Sequence, residues 1–524
     1  MSDRGTYEVE HKGLKEGALG FVSSTAVGVA STAPAYSLAG TLGWVVVTVG
    51  LQAPLFVILA FIPMFMAAWA IKHMNAVDPD CGTSFTWAWR TIGPRTGWWA
   101  GGWGTCASDF LAMASQSQIA GQYFFLLVGA SAVGTNASSV WVLLIGVAWI
   151  VLLTWMCYRG IQVSARTQVT LVIIEVIVLL VFAVVALIKV LNGTAPAGHL
   201  ALSWNWFNPG HITSFSTFMQ GMLLMVFIYW GWDTTTSINE ETEDPGRIPG
   251  IAGVVSTVIL LGTYLLVTLS AQAYAGIGTH GIGLGNSAHV NDVFSVMGTS
   301  VFGTGTGGQI MVHLLFFMIL TSSAATTMTT ILPNARTTLS MAFHGAVPKV
   351  FGRVHPKYMT PTVSTFVFSG FSILFYVGVN FLSHGNVISD SITAATFFVS
   401  IYLGISSAAC AWHFRRSLTA GWRPAVSRVI VPGLAAIFLY ALLVYNVIYY
   451  GHAVNSYMTV DLPLLGNVGG TEVIGVIAAL LGLAAMLYCR AKLPAFFTDR
   501  SRRYGPSLTE EGQIVSLTPE FEQI

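Results

Sequence analysis

The amino-acid sequence predicts an all-α integral membrane protein of twelve transmembrane helices, and three observations carry that expectation. The first is composition: of 524 residues, 54% are apolar and 9% are charged, against ~25% charged in an average soluble domain. A water-soluble chain this apolar could not cover its own surface. The second is a series of apolar runs of the ~20 residues that crossing the hydrocarbon requires. They fall at 18–42, 45–71, 97–130, 139–158, 167–191, 214–238, 251–277, 308–342, 361–383, 388–413, 428–450 and 469–489. The third is charge placement. With the N-terminus in the cytoplasm, all of the 23 Lys and Arg residues except Lys189 lie in inward-facing segments. That is the positive-inside pattern for twelve crossings with both termini cytoplasmic.

The flanking segments follow the same logic. Residues 1–17 are hydrophilic and mixed in charge, and read as a cytoplasmic tail rather than a cleavable signal. Residues 490–524 read as a second cytoplasmic tail. A net charge of +1 offers no field for nucleic acid. The five cysteines, at 81, 106, 157, 410 and 489, include no CxxC and no His/Cys cluster. Neither a disulfide framework nor a metal site is expected, and nothing calls for a cofactor. With no HExxH and no GxSxG, a membrane enzyme is disfavoured.

Two spans carry interruptions in matching places. Span 1 contains Ala30-Ser31-Thr32-Ala33-Pro34 at its middle. Pro34 lacks a backbone donor, and Ser and Thr compete for backbone hydrogen bonds. Span 6 contains Tyr229-Trp230-Gly231-Trp232-Asp233-Thr234-Thr235, a glycine beside a carboxylate. Freed backbone groups are tolerated at membrane depth only when they line a cavity or are buried in protein. The breaks lie five spans apart, and an odd repeat places its second copy upside down, which is the inverted-repeat design of secondary transporters with substrate at the midplane. The expected division is 18–191 for the first repeat, 214–416 for the second and 428–489 for two additional helices.

Four stretches give the chain a family likeness. They are Cys81-Gly82-Thr83-Ser84-Phe85-Thr86-Trp87-Ala88-Trp89 with the glycines up to Gly101-Gly102-Trp103; Gly160-Ile161-Gln162-Val163-Ser164-Ala165-Arg166-Thr167-Gln168; Phe227 to Asp233 followed by Asn239-Glu240-Glu241-Thr242-Glu243-Asp244-Pro245-Gly246-Arg247; and Arg336 with Phe343-His344-Gly345-Ala346-Val347-Pro348 and Thr360-Pro361. In this order they resemble the amino acid permease family of the amino acid–polyamine–organocation (APC) superfamily, across spans 1–10. The resemblance implies the leucine-transporter-like 5+5 inverted repeat with helices 1 and 6 broken, and uptake of amino acids or related amines. One departure stands out: the family's glycine-rich break in span 1, whose backbone donors hold a substrate carboxylate, here reads Val27-Gly28-Val29-Ala30-Ser31-Thr32-Ala33-Pro34. Side-chain hydroxyls replace those donors, or the carboxylate is not recognised.

An ionised side chain at the bilayer centre costs at least ~2.5 kcal/mol, so each needs a reason. No Lys or Arg falls deep in a span, but Asp109, Glu175 and Asp233 do. Burial without a basic partner penalises the ionised form, which suits proton uptake or pairing with an amine. Asp233 is expected to meet the substrate amine, carry a proton, or cap the donors of Thr235 and Thr236. Glu175, in an otherwise apolar run, is the second candidate for proton coupling; the resemblance places it near a lysine of some proton-coupled members. The resemblance also maps substrate contacts near Ala112 and Ser115, with Asp109 one turn inward as a gating or structural residue.

The expected substrate site is therefore Ala30, Ser31, Thr32, Ala33, Ala112, Ser115, Phe227, Tyr229, Trp230, Gly231 and Asp233, with Asp109, Phe227 and Arg336 as gating residues; the resemblance adds Thr330 to the site and Tyr402 to the gate. Phe227 and Trp230 are the aromatic candidates for sheltering an ammonium. Ser322 and Ser323 could supply oxygens to sodium, or simply join helices. Glu240, Glu241, Glu243 and Asp244 are expected to pair with Arg95, Arg166 or Arg336 and latch an inward gate. The functional expectation is a secondary importer of an amino acid, by proton symport and alternating access, in a bacterial inner membrane. The alternatives are a biogenic amine or polyamine transporter, an exchanger, or sodium coupling on the same fold. A sensor that binds without transporting also stays open.

Overall fold

The computed structural model describes residues 12–382, 387–456, 458–462 and 466–498, with two short strands at Pro506–Leu508 and Ile514–Ser516. Residues 1–11 of the expected N-terminal tail and most of the expected tail beyond residue 498 lie outside the described residues. The chain is helical almost throughout. In order come α1 Phe21–Thr32, α2 Pro34–Val49, α3 Ala53–Val77, α4 Ser84–Thr91, α5 Gly104–Leu127, α6 Val140–Tyr158, α7 Ile161–Leu191, α8 Phe215–Tyr229, α9 Thr234–Ser237 and α10 Ile248–Ala275. There follow α11 Val293–Phe302, α12 Thr306–Phe343, α13 Thr362–Leu382, α14 Val387–His413, α15 Val431–Gly451 and α16 Gly470–Lys492. Among the described residues, nine helical stretches are long and apolar enough to cross a membrane, the first running from Phe21 to Val77.

That first stretch departs from the expected bounds of the first two spans. Helix continues past 42 to Val49, and the turn falls at Gly50–Gln52, where Gly50 has φ 61° and Pro54 opens the next helix. Gly43 looks like a turn residue in the sequence but serves packing: a Cβ there would sit 2.5 Å from the Val290 carbonyl oxygen. Span 5 also begins earlier, at Ile161, because Gly160 at φ 121° ends the preceding turn. Residues 97–103 wind as a wide π-helical turn leading into α5.

Burial separates an apolar outside from a hydroxyl-rich inside. On α7, Ser164, Gln168 and Glu175 are wholly buried while Ile173, Ile177 and Val184 are about half exposed. Lipid offers no hydrophobic drive for helix association, so packing and interhelical hydrogen bonds hold such a bundle. α12 shows the pattern. Thr321, Thr327, Thr329 and Thr330 donate to carbonyls of their own helix three or four residues back. Ser322, Ser323 and Thr326 instead reach other helices. α5 packs between α12 and α14, and α1 packs on α7, α10 and α12.

Both expected breaks are present. α1 ends at Ala33, which takes the left-handed conformation (φ 44°, ψ 68°) that a non-glycine residue adopts at a cost of about 1 kcal/mol. The span 6 break lies at Trp230–Asp233, with Gly231 at φ 123°. The two breaks touch. A Cβ on Gly231 would come within 2.7 Å of the Ser31 carbonyl oxygen, and the Ser31 and Thr234 hydroxyls lie 2.8 Å apart.

Candidate functional site

Breaking a helix frees carbonyls and N–H groups that must find partners when buried. Around Ala33 the protein supplies them. Thr32 Oγ1 donates to Val29 O (2.8 Å), Thr326 Oγ1 to Ser31 O (2.9 Å) and Ser37 Oγ to Thr32 O (2.6 Å). At the start of α2, the Ala35 N–H donates to Glu175 Oε1 at 2.7 Å and the Tyr36 N–H to Ser322 Oγ at 3.3 Å. Around Gly231, Tyr264 donates to Ile228 O (2.6 Å). Pro333 has no N–H for the Thr329 carbonyl, and Thr234 Oγ1 approaches that oxygen at 3.4 Å. The N–H groups of Ala35 and Tyr36, freed at the start of α2, are thus engaged by Glu175 and Ser322.

A cavity opens between the two breaks, α5, α12 and α14. Ser31, Trp230, Gly231, Asp233 and Thr330, all expected, line it, and so do Asp109 and Tyr402, expected as gating residues. Thr105, Thr234, Thr326 and Pro333 complete the lining and were not expected. In sequence, the threonines are indistinguishable from hydroxyls that join helices; the signal that existed was Thr326, Thr330 and Pro333 recurring at helical spacing on one face of α12. The lining holds two carboxylates and no Lys, Arg or His.

Asp233 does not cap α9: its side chain makes no cap bond there, and its Oδ2 accepts from the Tyr402 hydroxyl at 2.9 Å. Trp230 Nε1 donates in turn to the Tyr402 oxygen at 2.5 Å. Asp109 accepts from Asn334 Nδ2, which also bonds Thr330 O, so α5 and α12 share that carboxylate's support.

The remaining expected residues stand elsewhere. Ala30, Thr32 and Ala33 are buried in the break without lining the cavity. Ala112 is buried in α5, and Ser115 Oγ meets the Tyr36 hydroxyl at 2.6 Å. Tyr229 turns away to Val57 O (3.1 Å), and Phe227 packs against Trp230 with ring centroids 6.1 Å apart. Glu175 is wholly buried behind α2; beyond its two bonds on Oε1, its Oε2 has no hydrogen-bond partner among the described residues. Ser323 bonds Gln116 O.

A second polar cluster lies where the N-terminal segment meets the turns after α3 and α9 and the end of α12. Arg336 clamps Glu241 with two bonds, 2.6 and 3.0 Å. Glu240, expected to pair with an arginine, is bonded instead by Lys12 Nζ at 2.5 Å, and Lys12 also reaches Asp80 Oδ2 at 3.0 Å. A tail lysine 228 residues from its partner leaves no mark in local sequence pattern. Burial opposes the Lys12 charge, but Asp80, Cys81 and Glu240 together raise its pKa above the usual lysine value. Burial likewise works against the Asp80 anion, yet Lys12 and His344 hold its carboxyl well below the usual range. Asp80, Cys81 and Glu240 stand close enough to hold a metal ion, but the lysine ammonium already occupies both carboxylates.

A polar cavity at the junction of two broken helices is the arrangement expected of a solute permease. The amino acid permease family model matches residues 19–489, and the chain belongs to that family. Among relatives, it is 26% identical over 341 residues to the branched-chain amino acid permease BcaP of Bacillus subtilis (strain 168), a match covering 63% of this chain and 68% of the relative. It is 24% identical over 332 residues to the methylthioribose transporter of the same organism, covering 59% and 64%. It is 23% identical over 317 residues to the low-affinity putrescine importer PlaP of Escherichia coli (strain K12), covering 60% and 65%. The matched region thus spans about two thirds of each relative's length. The protein is a multi-pass membrane transporter.

Proposed function

We propose that this permease imports a small amine-bearing solute across a bacterial inner membrane by proton symport, through alternating access of twelve helices arranged as a 5+5 inverted repeat with two additional helices, both termini being cytoplasmic. The observation that carries the reading is the cavity between the two breaks, with two carboxylates and no cation. The substrate ammonium sits against Asp233, and Trp230 and Tyr402 position that carboxylate. Residues 30–33 and 227–234 rearrange around it as the breaks flex, with Arg336–Glu241 among the contacts that close the cytoplasmic side.

Between an amino acid and an amine lacking a carboxylate, one observation favours the amine. The N–H groups of Ala35 and Tyr36, which would receive a carboxylate, already bond Glu175 and Ser322. Glu175 carries the coupling proton in this scheme. Its second oxygen lacks a hydrogen-bond partner among the described residues, which leaves it room to gain or lose a proton.

The test is thermal stabilisation of the purified protein by matched pairs, phenylalanine with phenethylamine and arginine with agmatine, since ligand binding to the native state raises Tm by mass action. Stabilisation by the amines at least equal to that by their amino acids supports the amine reading. Stabilisation by amino acids alone restores the carboxylate subsite and makes the chain an amino acid importer.

A further inference from the structure

Residues 12–19 are tied to several parts of the cluster that closes the cytoplasmic side in the transport reading above. Lys12 joins Asp80, in the turn between α3 and α4, to Glu240, in the turn after α9. Leu14 packs on Cys81, Leu339 and Val354. Lys15 Nζ bonds Gln162 Oε1 at the start of α7 (2.6 Å). Ala18 and Leu19 donate their N–H groups to Glu241 O, and Glu243 returns a bond to Leu19 O at 3.0 Å. The segment therefore spans four elements that lie far apart in sequence.

We propose that this N-terminal strap is the bolt of the cytoplasmic gate, with the Lys12 ammonium serving as a removable counter-ion. When seated, it neutralises Asp80 and Glu240 and holds the turns after α3 and α9 together. Opening to the cytoplasm requires it to leave.

The design of the socket supports a seated and an unseated state. Asp80 keeps four other partners when Lys12 departs: the Gly82 N–H, the Thr86 and Ser340 hydroxyls, and His344 Nε2. Glu240 keeps the Cys81 N–H. Each carboxylate thus retains hydrogen bonds after losing the ammonium, and water entering from the open side can solvate what remains. Lys12 also lies on a segment outside the helices, unlike Arg336, which is fixed in α12. The inference rests on the transport reading for its purpose, but its physical content does not depend on the substrate.

Cys81 shares a buried apolar cluster with Leu14 and is wholly buried, so its accessibility is a reporter of the strap's departure. In a variant whose other four cysteines are alanine, Cys81 is treated with a membrane-impermeant maleimide in inside-out vesicles, with no substrate present. Lys12→Met is expected to raise the labelling rate about tenfold or more, as loss of one partner of a buried ion pair should. Lys12→Arg should label slowly, like the parent. Glu240→Gln, which keeps the side-chain shape, should raise labelling several-fold, and the Lys12→Met/Glu240→Gln pair should exceed Lys12→Met little, because both remove the same contact. If Lys12→Met does not yield a monodisperse protein, the isosteric Glu240→Gln decides. Labelling of Lys12→Met and Glu240→Gln at the parent rate would overturn the proposal. Solute uptake measured on the same vesicles separates its failure from failure of the transport reading.

Discussion

Asp233 and Asp109 share one cavity but have different supports: a tyrosine hydroxyl backed by a tryptophan for the first, an asparagine for the second. Losing a buried charge partner costs roughly 2–5 kcal/mol. Asp233→Asn is therefore expected to lower the specificity constant for uptake by about a hundredfold or more, and Tyr402→Phe by about tenfold, through one lost charge-assisted hydrogen bond. Initial rates of radiolabelled uptake in proteoliposomes check both; a near-normal Asp233→Asn would remove the ammonium from that carboxylate. Glu175→Gln keeps an acceptor for the Ala35 N–H but cannot carry a proton. It should still catalyse exchange of solute across the membrane while losing accumulation driven by an imposed pH gradient. Replacing sodium with potassium should leave wild-type uptake unchanged.

These three acids were legible because charge in an apolar run needs a reason. The residues that orient them were less so: Tyr402 came only through family likeness, and Asn334 carries no signal apart from its neighbour Pro333.

At the scale of elements, the breaks were readable from Pro34 and Gly231, since each disrupts helix by a local mechanism. What was not readable is that they meet. The closeness of Gly231 to Ser31 makes Gly231→Ala doubly unfavourable, through positive φ and through contact with backbone. It should cost about 1–3 kcal/mol, seen as a Tm several degrees lower together with lost uptake. Ala33→Gly, by contrast, relieves a left-handed alanine but loosens the unfolded chain, and should stay within about 1 kcal/mol of wild type. A large loss at Ala33→Gly would mean that its methyl group, rather than its backbone, shapes the break. The misplaced turn between the first two crossings has the same lesson: Gly43 and Gly50 are both punctuation in sequence, and only a neighbour, Val290, distinguishes packing from turning.

At the scale of the molecule, the acidic turn after α9 was expected to find arginines, and Arg336 with Glu241 is one such pair. The other acid is answered by the tail. Lys12 has a raised pKa, so its contribution is present below the unfolded lysine value and fades only as pH climbs through the folded one. Asp80 has a lowered pKa, so its contribution is present above the unfolded carboxylate value and fades only as pH falls through the folded one. Lys12 and Asp80 should therefore stay charged from about pH 4 to about pH 10, whereas burial pushes the Glu240 carboxyl above its usual value despite Lys12. Removing Lys12 is expected to change Cys81 labelling equally at pH 6 and pH 8. A labelling contrast that vanished at either pH would show another titrating group in control.

The cavity's two carboxylates have a last consequence, for leakage. A carrier that reorients empty must take those charges through its occluded form without a counter-ion, at a cost of at least ~2.5 kcal/mol for each that stays ionised. A carrier loaded with one ammonium against Asp233 takes one such charge fewer through the occluded form. Under the proposed function, the acids that receive the amine would thus discourage idle cycling and keep a cell from dissipating its gradients through a permease with nothing to carry.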